Sequence, residues 1–407
     1  MSVVRDRGDA CPGALRLHSA DDGALARIRI PAGYLTVSQA EVLADAAESL
    51  GDGHLDITSR GNVQLRGLAG GCGRELADVL DGAGLLPSPS HERVRNIVAS
   101  PLSGLDGNGH ADVQPWVREL DRLLCADGNA TALSGRFLFG LDDGRGDITT
   151  LRADVMLIAE PDGSAVLRVA GDPTALRLRA EDGPRAALVA AGAFLDAARD
   201  SGTRAWRVRE LPPEHALLAR DVAARLAAAG IACVPAEQPL PEGAPPAPGL
   251  VEGPGGRSAL SVLAPLGRLT AAQWRQLAEG AGELRVTPWR GVVVADPGAD
   301  AAVGLVTDPA SPWVGVGACT GRPGCAKSLS DVRSDAAATV GSGRGGLPVY
   351  WSGCERRCGH PHGTWVDVVA TGAGYDISVL GEPVRTGVTA AELAGAIAAA
   401  RATTATR

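Results

Sequence analysis

The chain has 407 residues, a length that suggests two or three domains rather than one core. A formal charge of −8 argues against a general nucleic-acid binder. No apolar run reaches the length of a membrane span, and the N-terminus from Met1 to Gly13 has no apolar signal core, so a cytoplasmic protein is expected.

In chain order, residues 1–22 read as an N-terminal tail. A candidate strand at Ala26–Ile30 leads to Gly33-x-Leu35-Thr36-x-x-Gln39. The Thr-to-Gln spacing predicts a capping box, in which Thr36 caps a helix whose third residue is Gln39. Val42, Leu43, Ala46, Ala47 and Leu50 then recur at helical spacing. A short alternating strand through Leu55 and Ile57 runs to the pair Arg60-Gly61 and a further strand. The same order returns later: a strand at Ala259–Ala264, Gly267-x-Leu269-Thr270-x-x-Gln273, a helix with Trp274, Leu277, Ala278 and Ala281 inside, a strand through Leu284 and Val286, and the pair Arg290-Gly291. The two copies read as β-α-β-β units with Arg290 as the repeat mate of Arg60, able to pair about a pseudo-twofold axis. A longer mixed α/β segment follows each. The divisions expected are half-units at 23–90 and 256–311, larger segments at 91–234 and 312–407, and a Pro-rich extended linker at 235–255. The fold class expected is α+β, with two ferredoxin-like half-domains and two larger α/β segments.

Of the eight cysteines, Cys11, Cys72, Cys125 and Cys233 are scattered, whereas Cys319, Cys325, Cys354 and Cys358 are bunched. Their spacing is Cys-x5-Cys and Cys-x3-Cys among Gly and Pro, which reads as metal binding or redox chemistry. Four thiolates suit an iron–sulfur cube, one per iron. Structural zinc, disulfides and inert buried thiols are the alternatives. Zinc pairs usually sit two to four residues apart, and disulfides are rare in cytosolic chains.

C-T-G-x-x-x-C followed by G-C-x-x-x-C is similar to the cluster motif of the nitrite and sulfite reductases. Asp56–Gln64 resembles that family's T-x-R-x-x-x-Q segment, and Arg95-Asn96-Ile97-Val98 resembles its R-N-V segment. The resemblance implies a 4Fe–4S cluster on the four cysteines. In the reductases it also implies a sirohaem, bridged by the residue equivalent to Cys358. One element departs from the pattern. The reductases' K-F-K lysines correspond to Arg136 and Leu138 in Ser134–Gly144, and a leucine holds no oxyanion. R-F-x-F-x-L-D-D-G, Thr287-Pro-Trp-Arg-Gly291 and Gly353-Cys-Glu-Arg-Arg-Cys-Gly359 resemble instead the family's oxygen-dependent branch, the precorrin-3B synthases of aerobic cobalamin biosynthesis. That resemblance implies O2-dependent hydroxylation of precorrin-3A at C20 with γ-lactone closure. It further implies a non-haem iron of unidentified ligands and an external electron donor, an NADH-linked reductase or a ferredoxin.

By motif position Arg60, Arg95 and Arg136 are candidate catalytic and substrate-binding residues, because arginine forks suit carboxylates. Gln64, Asn96, Arg290 and Arg322 are further substrate-binding candidates. For Gln64 and Asn96 the competing role is satisfying buried backbone. His360 is expected near the cluster and His362 exposed. Asp142, Asp143 and Asp147 read as a hairpin turn. Lys327 is the only lysine, and a solvated side chain is its plainest reading.

Overall fold

The structure is a computed structural model and describes residues 9, 11–341, 345–361 and 363–402. The first half-unit holds β1 (His18–Ala20), β2 (Gly23–Ile28), β3 (Tyr34–Leu35), α1 (Val37–Leu50), β4 (His54–Ile57), β5 (Val63–Leu68) and α2 (Gly73–Gly82). The capping box forms as the sequence predicts: the Gln39 amide donates to Thr36 Oγ1 at 3.2 Å, and the Thr36 amide donates back to Gln39 Oε1 at 3.1 Å. The first α/β segment follows with β6 (Ile97–Ala99), α3 (Gln114–Ala126), β7 (Phe139–Asp142), β8 (Val155–Ala159), β9 (Ser164–Val169), β10 (Ala175–Arg179), α4 (Gly183–Ser201), α5 (Ala219–Ala228) and β11 (Cys233–Ala236).

The second half-unit contains β12 (Gly249–Glu252), β13 (Ser258–Leu263), β14 (Arg268–Thr270), α6 (Ala271–Ala278), β15 (Glu283–Val286) and β16 (Gly291–Ala295). Thr270 and Gln273 close a second capping box, at 3.0 and 3.1 Å. The last segment holds β17 (Val316–Ala318), α7 (Val332–Thr339), β18 (Val349–Ser352), β19 (Val366–Thr371), β20 (Gly374–Val379), β21 (Glu382–Val388) and α8 (Leu393–Arg401).

The half-units exchange strands. One sheet runs β1-β2-β5-β4-β14 and the other β12-β13-β16-β15-β3, so each is completed by a two- or three-residue strand from the other copy. The helices α1 and α6 pack together beneath, and the buried Trp274 indole donates to Ala40 O at 3.0 Å. One apolar core runs through both copies, from Leu43 and Leu55 to Trp274 and Leu284. The larger segments share a plan as well. In β11-β10-β9-β8-β7-β6 the strands β6, β7 and β8 are parallel and the rest antiparallel; in β17-β18-β19-β20-β21 the strands β17, β18 and β19 are parallel.

Three expectations change. The segment before residue 23 is not a free tail, since β1 joins the first sheet and the amides of Ala14 and Leu15 donate to the Glu92 carboxylate at 2.6 and 2.9 Å. The Pro-rich stretch is laid against the first α/β segment, where Thr149 Oγ1 donates to Pro241 O at 3.0 Å and Gln238 donates to Glu160 at 2.8 Å. Asp142–Asp147 is not a hairpin turn, because β7 and β8 are parallel and the loop is the start of a crossover. No described helix is long and apolar enough to cross a membrane.

Candidate functional site

A cavity of about 540 Å³ opens where the half-units meet both α/β segments. Arg27 and Arg29 enter from β2 and its end. Arg60 and Gln64 come from the β4–β5 turn and β5, Arg136 from the loop before β7, and Arg290 from the β15–β16 turn. Arg333 on α7, Tyr350, Arg356, Cys319 and Cys358 close the far side. Asp9, Cys11 and Pro12 of the N-terminal segment lie along it, as does Trp206, over whose ring Arg136 sits at 5.0 Å.

The wall carries seven arginines and two aspartates. Both aspartates are already engaged: Asp56 accepts from Arg268 at 3.0 and 2.7 Å and from Arg333 at 2.9 Å, and Asp9 accepts from the Cys11 and Gly135 amides at 2.9 and 2.6 Å and from Ser134 Oγ at 2.8 Å. The remaining cations are under-compensated. Burial, then the neighbouring Arg27 and Arg60, push the Arg29 guanidinium down to about 9. Burial, then Arg207, bring Arg60 to about 10. Arg27 Nε, Arg29 Nη1 and Arg333 Nη1 are buried donors without a hydrogen-bond partner. Such donors are costly to bury, and the excess of arginine over aspartate in the wall gives the cavity a positive character that suits an anionic ligand.

The sequence-predicted residues divide. Arg60, Gln64, Arg136 and Arg290 line the cavity. Arg60 also donates to Gly135 O at 3.0 Å, and Gln64 Oε1 accepts from Arg27 at 3.1 Å. Arg95 does not line it. Its guanidinium forks onto Asp121 at 2.7 and 2.8 Å and onto Leu85 O at 3.2 Å, an interior clamp. Asn96 is buried away from the cavity as well, donating to Gly135 O at 2.6 Å and accepting from Asn62 at 3.3 Å. Arg322 borders a separate cavity of about 510 Å³ with Asp52, His54 and Arg268. Leu138 is 3% exposed and packs with Ile148, Met156 and Trp289, so its position supplies no cation.

Arg27 and Arg29 were not singled out in the sequence. The signal was present in Ala26-Arg-Ile-Arg-Ile30, whose period of two puts the arginines on one face and the apolar residues on the other. Arg333, Tyr350 and Arg356 had no comparable local mark.

Cys319 follows β17, and Cys354 follows β18 by two residues, so both stand at the carboxyl ends of neighbouring parallel strands, where α/β sheets present their sites. The Gly353 amide donates to Cys319 Sγ at 3.2 Å. Burial pushes the Cys358 thiol up, and Cys354, Cys319 and Cys325 add to that by their proximity. The other three thiols thus lie within electrostatic reach of Cys358. Among the described residues no three His, Cys, Asp or Glu side chains converge on a single-ion site. A cube differs from such a site in asking for one thiolate per iron, and the donor set of four soft sulfurs with a backbone N–H on one of them fits that demand. His360 is exposed and stacks on Trp365 at 5.0 Å, with Nδ1 on Pro361 O. His362 lies outside the described residues.

Residues 18–71 and 251–310 each match the Nitrite/Sulfite reductase ferredoxin-like half domain. The NirA protein of Mycobacterium tuberculosis superposes with a TM-score of 0.70 over 91% of this chain and 79% of its own, at 18% identity. The chain has the duplicated nitrite/sulfite reductase-like architecture. Two curated relatives of that reductase-like group extend over most of its length. A precorrin-3B synthase from Sinorhizobium sp is 26% identical over 93% of this chain and 84% of its own. A ferredoxin–nitrite reductase from Synechococcus elongatus is 29% identical over 83% of this chain and 74% of its own. The half-domain matches coincide with the exchanged sheets.

Proposed function

We propose that the chain is a cytoplasmic precorrin-3B synthase, hydroxylating precorrin-3A at C20 with closure of the γ-lactone. One oxygen atom of O2 enters the product and the other leaves as water, with two electrons and two protons from an external donor, an NADH-linked reductase or a ferredoxin. The observation that carries this reading is the composition of the cavity wall. It is rich in arginine, suited to the carboxylate arms of a tetrapyrrole, while Leu138, at the sequence position of the reductases' second lysine, is buried outside that wall and adds no cation to it. Arg27, Arg29 and Arg60 offer forks to those arms, and Trp206 supplies an apolar wall against which a macrocycle can lie. In this reading Cys319, Cys325, Cys354 and Cys358 hold a 4Fe–4S cluster, whose chemistry is to relay single electrons. The breadth of the match to the Sinorhizobium synthase supports the same assignment. The non-haem iron implied for that branch has no ligand set identified among these residues.

A sirohaem-dependent nitrite or sulfite reductase is the second reading, favoured by the Synechococcus match and the common fold. The absorption spectrum of anaerobically purified protein separates the two. A broad brown cluster spectrum without sirohaem bands, followed by O2-dependent conversion of precorrin-3A to the hydroxylated lactone, is the expected result. Sirohaem bands with sulfite or nitrite turnover would overturn it.

A further inference from the structure

The two hairpin turns of the half-units follow one plan, shifted from the register that their Arg-Gly pairs suggest. In the first, the Thr58 amide donates to Asn62 O (2.9 Å), the Gly61 amide to Thr58 O (3.1 Å) and the Asn62 amide to Thr58 Oγ1 (3.2 Å). In the second, the Thr287 amide donates to Gly291 O (2.9 Å), the Arg290 amide to Thr287 O (3.2 Å) and the Gly291 amide to Thr287 Oγ1 (3.2 Å). The strands agree: Ile57 faces Val63 as Val286 faces Val292. The structural counterpart of Arg290 is therefore Gly61, not Arg60. Both residues are left-handed, with φ of +64° at Gly61 and +62° at Arg290. Glycine adopts that conformation freely, whereas a side-chain-bearing residue gives up roughly 1–2 kcal/mol there.

The strained backbone aims the Arg290 side chain at the two loops that carry the cavity-facing cysteines. Nη1 donates to Ala318 O at 3.0 Å, one residue before Cys319. Nη2 donates to Gly359 O at 3.0 Å, one residue after Cys358, and to Tyr350 Oη at 3.3 Å. Tyr350 in turn donates to Cys358 O at 2.6 Å. The path is kept open by missing side chains. A Cβ on Gly359 would stand 3.2 Å from Nη2, and one on Gly267 would stand 3.0 Å from Cδ. Both terminal nitrogens already donate to protein oxygens, so holding substrate is not this arginine's main task.

We propose that Arg290 is a positioning residue of the iron–sulfur site, pinning the Cys319 and Cys358 loops to each other and to the second half-unit while laying a fixed cation beside them. This rests on the reading that the four cysteines hold a cluster. A cation beside a cluster favours its reduced, more negative state and raises its potential. Substitution should therefore move the potential, which a merely structural residue would not.

The test uses the full chain, reconstituted anaerobically with iron and sulfide and titrated with dithionite and mediators under EPR. Arg290→Gly removes the guanidinium but restores the backbone of Gly61, so relief of the left-handed strain offsets much of the lost hydrogen bonding and the variant should still fold. At the midpoint potential of the unsubstituted protein, its ratio of reduced to oxidised cluster should fall about tenfold, equivalent to about 59 mV for one electron. Arg290→Lys keeps the charge but cannot fork across both loops, and should recover part of the shift. An Arg290→Gly protein that folds normally but loses its iron also supports the pinning role. Full iron content with an unchanged midpoint in that variant overturns the proposal and leaves the cluster reading standing. An unsubstituted chain that assembles no cluster removes the cluster reading itself, and the proposal with it.

Discussion

At the carboxyl ends of β17 and β18 stand Cys319 and Cys354; at the corresponding ends of β6 and β7 stand Ser100 and Asp143. In the first α/β segment most of the polar groups bond to one another, although Asp147 Oδ2 is left without a partner among the described residues. Ser100 Oγ donates to Asp147 at 2.7 Å and accepts from the Asp143 amide at 3.2 Å. Arg145 forks onto Asp143 and Asp106, while Asp142 accepts from three loop amides. In the second segment the sulfurs are left with one backbone donor between the strands. One strand plan thus offers two equivalent corners. One is filled by an internal polar network, and the other carries the cysteines.

The contrast can be broken most forcefully at the thiols. Cys325→Ser should abolish bound iron and turnover together, whereas Ser100→Ala, at the filled corner, should leave iron content unchanged by colorimetric assay. Iron retained in the cysteine variant would refute the ligand set. Next in size is the seam between the halves. Asp56 on β4 joins Arg268 of the second half-unit to Arg333 of the last segment, and its counterpart on β15, Arg285, donates to Pro101 O and Ser103 O of the first segment at 2.9 and 2.7 Å. Asp56→Asn leaves two cations facing a neutral group and should cost about 3–5 kcal/mol, read as a lowered urea midpoint.

The filled corner should announce itself through pH. Asp147 is fully buried and pushed up to about 7, first by burial, with Ser100 and Arg145 pulling it back only in part. A carboxyl with a raised folded-state pKa favours the fold below its ordinary value of 3.8 and loses that advantage as pH rises toward about 7. Asp147→Asn should therefore gain stability over the parent by up to roughly 4 kcal/mol at neutral pH, with the gain vanishing near pH 4. Denaturation midpoints of both proteins across pH 4–8 check this, and parallel curves would remove Asp147 as the cause. The smallest effect compares the half-units directly. Thr36→Ala and Thr270→Ala should each cost about 1 kcal/mol, because the two capping boxes have the same geometry.

How much the sequence discloses depends on the range of the interaction. The capping boxes were legible because donor and acceptor lie three residues apart. The cysteine spacing is equally local, and whether it holds a cluster is for the iron assay to decide. Arg95 was misplaced for the opposite reason: the Asp121 that captures it lies 26 positions on, and nothing near Arg95 marks the pair. Arg290 was matched to Arg60 because Arg-Gly recurs in both turns, yet hydrogen bonding aligns Thr58 with Thr287 and moves the arginine one place along. The exchanged strands β3 and β14 carry no strand signal of their own. Two or three residues cannot show a period, and they become strands only against a partner from the other copy.

That exchange has a consequence for how the protein is made. The free edge of β4 is an open template for pairing until Arg268–Thr270 arrives, and Arg268 lies 212 residues beyond its partner Asp56. At usual ribosomal speeds of about 5–20 residues per second, the N-terminal sheet waits roughly 10–40 s on the nascent chain with an uncovered edge. During synthesis the first half is therefore an unfinished sheet rather than a finished domain, and it is completed only once its duplicate has been translated.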